Sequence, residues 1–176
     1  MMSPRNTFAI VQVLGGVAVL GSYAHSFANH ADPAVLWGTI PPEVIPPYTA
    51  CMPFAAMGYL VTAWYLWRVV DPREVQLGGL GYGAFIGAFA VLTLASAMWM
   101  PLSLAAVDAQ APWLWTWIQV DLAATGGASL FILAGLWHLK GTGSDRAWRM
   151  ALVGWLLLCW QTVVLDCLVW PQFFVI

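Results

Sequence analysis

The stretch WGTIPPEVIPPYTACMPFAAMGY, residues 37–59, places a stiff and nearly uncharged segment directly before an apolar one. It contains five prolines and one charged side chain, Glu43. Proline has no N–H and a fixed φ, so it suits rigid turns and the first turn of a helix rather than a helix interior. The stretch therefore predicts a stiff loop that ends where a helix begins, at about Tyr48.

The chain of 176 residues around this stretch is too apolar to form a water-exposed surface. It is 61% hydrophobic and 8% charged, with a mean hydropathy of +0.78, whereas soluble domains contain about 25% charged residues. We therefore predict an all-α integral membrane protein for which the bilayer is both solvent and partner. The net charge of −2, with no basic stripe, predicts no nucleic-acid partner.

Apolar segments of the length needed to cross roughly 30 Å of hydrocarbon recur along the chain. Because irregular backbone cannot face lipid, each of them is predicted to be a helix. Their short connections leave no room for a second domain, so residues 1–176 are predicted to form a single bundle of five transmembrane helices. We expect the helices at about 7–28, 48–70, 77–101, 112–139 and 146–170, with 29–47 as a proline-rich loop.

The charged residues predict an orientation. In a five-span chain all six basic residues fall on one side of the membrane, while Asp32, Glu43 and Asp108 fall on the other. The positive-inside rule then places the N-terminus in the cytoplasm, and the proline-rich loop and the C-terminus on the extracytoplasmic side. We expect a multi-pass protein of a bacterial inner membrane or an organelle membrane. The basic residues are Arg5, Arg68, Arg73, Lys140, Arg146 and Arg149.

Ionisable residues inside membrane helices are costly and are candidates for function. Asp121 and Asp166 fall in the extracytoplasmic half of the predicted bundle, together with His25 and Tyr48. We expect them to converge on an apolar pocket beneath the proline-rich loop. A structural role stays open as the alternative for each: Asp166 could reach water at the helix end, Asp121 could bond a neighbouring helix, and His25 could be interfacial.

Three glycines recur every four residues at the start of the third predicted helix. Gly79, Gly83 and Gly87 would share one helix face, and small residues at this spacing let helix backbones approach closely. The face is predicted either to pack within the monomer or to form the seam of a homodimer.

Motifs for metal binding and catalysis are absent from the sequence. There is no H-E-x-x-H, nucleophile elbow, P-loop or dinucleotide fingerprint. His25 and His138 fall at opposite ends of the predicted bundle and could not ligate one haem iron together. The sequence thus predicts no metal site and no required cofactor, and it weighs against an enzyme without deciding the matter.

The five-helix plan, the twelve tryptophans and the opening stretch resemble the TspO/MBR family, the tryptophan-rich sensory or translocator proteins. The second helix of that family reads P-P-x-W-V-F-x-P-x-W-x-x-L-Y-x-x-M-G. Here Phe54 takes the tyrosine position, while Val44 and Ala50 replace the two tryptophans. The positions that match are Pro41, Pro42, Met57 and Gly58, and Pro47 lies one residue before the position of the motif's third proline.

Two further segments resemble family motifs. ASAMWMPLSL, residues 95–104, resembles N-x-x-W-S/T-P-x-F-F: Trp99 and Pro101 match, and Ser96 replaces the asparagine. GWLLLCWQTVVLD, residues 154–166, resembles P-Y-L-x-W-x-x-F-A-x-x-L-N, with Trp155 for the tyrosine and Asp166 for the asparagine. Gly154 and Leu158 depart from the proline and tryptophan of this motif.

The resemblance implies a homodimer whose protomers bind a flat hydrophobic ligand, porphyrin-like, haem-like or sterol-like, for sensing, sequestration or transport. It also implies that the loop between the first two helices covers the pocket as a lid. A carboxylate at 166, where the family has an amide, would favour a ligand with a cationic group. The expected ligand-binding residues are His25, Trp37, Tyr48, Phe54, Ser96, Trp99, Asp121, Trp155 and Asp166.

Two other functions are compatible with the same residues. The tryptophans and the glycine face could contact partner helices or pigments in a respiratory or photosynthetic complex, which would make this chain an accessory subunit. Asp121 and Asp166 could instead serve a small proton-coupled transporter, although no polar partner for them is visible in the other half of the bundle.

Overall fold

A computed structural model describes residues 2–30, 32–141 and 143–176. The regular elements of the described residues are all helices, and one isolated β-bridge joins Leu77 and Leu80. A short 3-10 helix, Pro33–Trp37, lies in the loop after the first long helix, and a π-helix, Trp160–Val169, and a 3-10 turn, Trp170–Gln172, extend the last one. The long helices are α1 Pro4–Asn29, α2 Ile45–Arg68, α3 Gly83–Asp108, α4 Leu114–His138 and α5 Asp145–Cys159.

Two hydrogen bonds fix the direction in which the helices run. Nη2 of Arg5, at the start of α1, donates to the carbonyl oxygen of Val70, just after α2, at 3.1 Å. Nε1 of Trp170 donates to the carbonyl oxygen of Leu36, in the loop after α1, at 2.8 Å. The chain therefore makes five helical passes between a basic end, which carries Arg5, and a proline-loop end, formed by residues 32–44.

Four helical segments are long and apolar enough to span a membrane: Pro4–Asn29, Gly83–Asp108, Leu114–His138 and Asp145–Gln172. They support a multi-pass membrane protein built from helices. The segment Ile45–Arg68 is nearly as long, but it is not among these candidates. Its first residues include Pro46 and Pro47, and Pro53 lies inside it. Five transmembrane spans therefore stay a prediction.

The bounds predicted for α3, 77–101, are wrong at both ends. Residues 77–80 form a turn, in which Leu77 and Leu80 exchange backbone hydrogen bonds of 2.7 and 3.0 Å. Gly78 and Gly79 adopt positive φ there, 57° and 91°, which a helix cannot contain. Pro101 does not end the helix, since membrane helices tolerate proline where neighbouring helices pack against the freed carbonyl.

The last pass is not the single regular helix predicted for 146–170. It changes from α to π geometry at Trp160. The hydroxyl of Thr162 donates to the carbonyl oxygen of Leu158 at 3.0 Å. That carbonyl is the one an α-helix would pair with the N–H of Thr162, so the side chain competes with the backbone ladder where the wider turn begins.

Helix contacts define the order around the bundle. α1 packs on α3, α3 on α4, α4 on α5 and on the π-helix, and α5 on α2. The closest crossing joins α2 and α5 at Gly58 and Gly154, where a Cβ on Gly58 would overlap the carbonyl oxygen of Gly154. An aromatic core that includes Phe8, Phe89 and Trp155 fills the half of the bundle toward the basic end.

Candidate functional site

A cavity of about 720 Å³ occupies the half of the bundle toward the proline loop. Small-molecule sites typically enclose about 300–1,000 Å³. Its walls come from all five passes, and the proline loop contributes Pro33, Leu36 and Trp37. Asp166 is the only carboxylate among the described lining residues, and none of these is a lysine, arginine or histidine. The cavity is thus an apolar chamber with one acidic group in its wall.

Two neighbours hold the acidic group in place. The hydroxyl of Tyr48 donates to Oδ1 of Asp166 at 2.5 Å, and Nε2 of Gln161 donates to the same oxygen at 2.8 Å. Hydrogen bonds to a carboxylate offset the cost of keeping it away from water. Within the part of the chain that the structure describes, Oδ2 accepts no hydrogen bond. Oδ1 of Asp166 is therefore hydrogen-bonded within the protein, and Oδ2 is available to a bound molecule.

The π-helix places Gln161 and Asp166 on one face. In an α-helix two residues five apart point about 140° away from each other, since successive residues turn by about 100°. A π-turn bonds each N–H to the carbonyl five residues before it, so residues five apart come nearly into line. π-Segments in helices are frequent at functional sites. This local geometry makes the hydrogen bond between Gln161 and Asp166 possible.

Two other side chains of the lining hold polar atoms without a partner. Oε1 of Gln161 and Nε1 of Trp99 are buried, and neither has a hydrogen-bond partner among the described residues. An unsatisfied buried polar atom costs about 1–3 kcal/mol. A ligand or water that reached them after a side-chain rotation would remove this cost. The cavity thus combines one unused donor with unused acceptors on Gln161 and Asp166.

Aromatic rings form the wall at the proline-loop end. The ring of Trp37 meets Tyr48 edge-on, with centroids 5.3 Å apart and an interplanar angle of 83°. Trp99 packs against Trp170 at 5.5 Å and against Tyr23 at 6.3 Å. These rings present flat apolar surfaces to the cavity, which suits a flat hydrophobic molecule.

The proline loop is a fixed cover over this end. Besides the bond from Trp170 to Leu36, the backbone N–H of Thr39 donates to the carbonyl oxygen of Phe173 at 2.8 Å. Gly38 adopts a φ of +53° there, and a Cβ on it would overlap the same carbonyl. The C-terminal residues therefore hold the loop against the bundle, an attachment that the lid prediction did not include.

Five of the predicted ligand-binding residues line the cavity: Trp37, Tyr48, Ser96, Trp99 and Asp166. They come from four separate parts of the chain, so the structure brings them together as expected. The hydroxyl of Ser96 donates to the carbonyl oxygen of Leu92 at 2.7 Å, which leaves it less free for a ligand.

Three of the predicted residues lie elsewhere, and their placement in the pocket needs correction. Phe54 is 62% exposed and points away from the bundle. Trp155 is fully buried in the aromatic core, where its Nε1 donates to the carbonyl oxygen of Ser129 at 2.8 Å. His25 is exposed on α1 and lies 3.2 Å from the amide of Asn29. None of the three lines the cavity.

Asp121 also lies outside the cavity lining, although Leu122 and Thr125 of the same helix belong to it. Its Oδ2 is buried and has no partner among the described residues. This oxygen therefore does not form the hydrogen bond to a neighbouring helix that was the structural alternative for Asp121. Asp121 is a second acidic group beside the cavity wall rather than in it.

The predicted glycine face does not pack within the monomer. Gly79 lies in the turn before α3, and a Cβ on Gly83 or Gly87 would meet no atom within 4 Å. Gly87 instead lines a shallow outer groove with Gly127 and Phe131. The packing role belongs to Gly58 and Gly154, which the four-residue spacing did not reveal.

Sequence reasoning missed Tyr23 and the rest of the α1 wall. Gly16, Val19, Leu20, Tyr23 and Phe27 share one face of α1 and line the cavity, but the outward residues of this helix are equally apolar, so the sequence did not distinguish that face. Gln161 is not among the ligand-binding residues expected from the sequence. Its role depends on the π-helix, for which the sequence offered no recognisable pattern.

Comparison of the chain with protein-family models, with curated proteins and with solved structures found no match. Among the described residues, no group of three His, Cys, Asp or Glu side chains is close enough to hold a metal ion.

Proposed function

We propose that the protein binds a flat hydrophobic molecule with a hydroxyl or amine head, sterol-like in its chemistry, and serves to sense, sequester or transport it. The cavity of about 720 Å³, with apolar walls around the Tyr48–Asp166–Gln161 cluster, carries this proposal. The apolar body of the ligand would contact the aromatic wall. Its head would donate to the free oxygen of Asp166 or to Oε1 of Gln161.

Charge favours the sterol-like class over the porphyrin class that the TspO/MBR resemblance also implies. Protoporphyrin and haem carry carboxylates, and the only charged group among the described lining residues is Asp166. Two like charges 4 Å apart repel by about 4 kcal/mol at an effective dielectric constant of 20. A hydroxyl has no such penalty, and a protonated amine would attract the carboxylate.

We also propose that α2 is a fifth membrane span. It packs along α5, whose extended segment Asp145–Gln172 is long enough to cross the bilayer, so the two helices occupy the same depth. With five spans, the basic end would face the cytoplasm under the positive-inside rule, and the cavity would lie in the extracytoplasmic half. Labelling of an introduced cysteine at Glu43 with a membrane-impermeant maleimide, in intact cells, would test this orientation. Protection of that cysteine would contradict it.

A fluorescence titration tests ligand binding. Dehydroergosterol, a fluorescent sterol that accepts energy from tryptophan, would be added to the purified protein in detergent, and protoporphyrin IX in a parallel series. We expect saturable energy transfer to the sterol and weaker binding of the porphyrin. Asp166→Asn should weaken sterol binding by about tenfold, or 1.4 kcal/mol, because the acceptor loses its charge.

The matched control is Glu74→Gln, which makes the same change on an exposed carboxylate at the basic end. It should leave binding unchanged. Energy transfer that never saturates, with equal slopes for wild type and Asp166→Asn, would contradict a specific site. Tighter binding of protoporphyrin than of sterol would instead indicate that the ligand is a tetrapyrrole.

An accessory subunit of a larger membrane complex is a second candidate, because several tryptophans point outward. Trp113, Trp117, Trp137 and Trp160 are exposed on the described structure. In a complex they would contact partner helices or pigments, and in a homodimer the groove beside Gly87 would lie at the seam. Purification in mild detergent separates these cases: a subunit migrates with a large complex, a homodimer at twice the protomer mass.

Proton-coupled transport is the third candidate, and it rests on Asp121 and Asp166 alone. Uptake of protons by proteoliposomes on addition of a substrate, lost in Asp121→Asn, would support it.

A further inference from the structure

The ring of helices around the cavity has one weak seam. α1 packs extensively on α3, and α2 packs extensively on α5, but α1 and α2 scarcely touch each other. They are nevertheless neighbours, because both contribute to the cavity wall. Every other pair of adjacent helices around the cavity packs together more extensively than α1 and α2 do.

Toward the basic end of the bundle, two hydrogen bonds close the seam. There Arg5 on α1 donates to the carbonyl oxygen of Val70, and the hydroxyl of Tyr59 on α2 donates to Oε1 of Gln12 at 2.5 Å. On the other side of Gln12, α1 contributes lining residues from Gly16 to Phe27, a length of about 16 Å at 1.5 Å per residue. This stretch runs along the cavity toward the proline loop.

Apolar side chains form the rim of this seam. Leu20 of α1 and Leu60 of α2 both line the cavity, yet they remain 73% and 60% exposed, so the cavity does not enclose them. A residue that faces both the cavity and the surroundings marks an opening. Phe27 and Met52 meet the same two conditions, so the rim is apolar on both helices. An opening of this kind suits contact with lipid chains rather than water.

The alternative route, through the end of the bundle, is covered. The proline loop is hydrogen-bonded to the C-terminal residues through Leu36 and Thr39, and the side chain of Leu36 is buried. Passage at this end would require both bonds to break. Along the seam between Leu20 and Leu60, no hydrogen bond among the described residues joins α1 to α2.

We propose that the seam between α1 and α2 is a lateral portal through which a membrane-dissolved lipid reaches the cavity directly from the bilayer. This inference rests on the proposed function and adds the source of the ligand to it. The lipid would slide in between the two helices with its polar head directed toward Asp166. The bonds at Tyr59 and Arg5 would act as the closed hinge of the opening.

Reversible blockade of the rim tests the portal. Leu60→Cys and Met57→Cys lie on the same helix, 60% and 59% exposed, but of the two native residues only Leu60 lines the cavity. Each folded variant would be reconstituted in phosphatidylcholine vesicles and labelled with a bulky triphenylmethyl methanethiosulfonate. Transfer of dehydroergosterol from donor vesicles would be followed by energy transfer from tryptophan. Labelled wild type controls for reaction at the native cysteines.

We expect the label at position 60 to slow both association and dissociation of the sterol by roughly tenfold, as an obstructed access route does, with little change in the equilibrium. The label at position 57 should change neither rate, and a reducing agent should restore both. Unchanged rates at position 60, or weaker binding with an unchanged association rate, would overturn the portal while leaving the proposed function in place. Absence of saturable binding by unlabelled wild type would instead remove the proposed function, and the portal with it.

Discussion

Tyr48 and Asp166, 118 residues apart in the chain, are joined by a hydrogen bond of 2.5 Å from the phenol to Oδ1 of the carboxylate. The bond connects the first turn of α2 to the π-helix at the covered end of the cavity. It also fixes which oxygen of Asp166 is used by the protein and which is left for a ligand. This contact therefore contributes to the stability of the bundle and also determines which polar atom the cavity offers to a ligand.

Loss of the Tyr48 hydroxyl should destabilise the fold. Tyr48→Phe keeps the ring against Trp37 but removes a hydrogen bond to a charged group, worth about 1.5–3 kcal/mol. We expect the free energy of unfolding in mixed detergent and SDS micelles to fall by that amount. Tyr23→Phe is the matched control, since Tyr23 lines the same cavity and its hydroxyl makes no hydrogen bond to a described residue. An equal loss in both variants would contradict the role of this bond.

The crossing of α2 and α5 should not accept a methyl group. Gly154→Ala would place a Cβ against the backbone of Gly58, and overpacking of this kind costs about 1–3 kcal/mol. Gly87→Ala meets open space and should be neutral, or stabilising by up to about 1 kcal/mol, because alanine is the better helix former. SDS unfolding of the two variants measures the difference. A Gly154→Ala protein as stable as Gly87→Ala would show that the helices are not in close contact.

Filling part of the cavity should weaken ligand binding without unfolding the protein. Gly16 lines the cavity, and a Cβ there meets no atom within 4 Å, so Gly16→Phe projects a ring into free space. Gly21 has the same free space on α1 but does not line the cavity. We expect the dissociation constant for dehydroergosterol to rise by about tenfold or more in Gly16→Phe. Gly21→Phe should bind like wild type, and equal affinities in the two variants would place the ligand elsewhere.

The attachment of the proline loop should depend on Trp170. Trp170→Phe keeps an aromatic ring but leaves the carbonyl oxygen of Leu36 without its donor, at a cost of about 1–3 kcal/mol. Hydrogen–deuterium exchange should then become faster at Thr39, whose N–H bonds to Phe173. Trp117→Phe, on an exposed tryptophan, should leave this exchange rate unchanged. Equal protection in both variants would mean that other contacts hold the loop.

The sequence by itself determined that this chain forms long apolar helices of the kind that span a membrane. A chain with 8% charged residues and apolar segments longer than 20 residues is suited to the bilayer rather than to water. In the bilayer, such segments must form helices to satisfy their backbone hydrogen bonds. It also located the covering loop, from its prolines, and the acidic group at 166, from its position in an apolar segment. These features follow from composition and local pattern, which lipid constrains strongly.

Only the tertiary structure decided which side chains face the cavity. Lipid chains are as apolar as a protein interior, so a membrane helix has no hydrophobic contrast between its inner and outer faces. Phe54 and Tyr48 were equally good candidates on α2, yet one points outward and the other bonds Asp166. The close approach at Gly58 and Gly154, the π-turn that aligns Gln161 with Asp166, and the seam between α1 and α2 likewise depend on helix pairing. Such pairing is set by side-chain shape between distant segments, and local sequence does not record it.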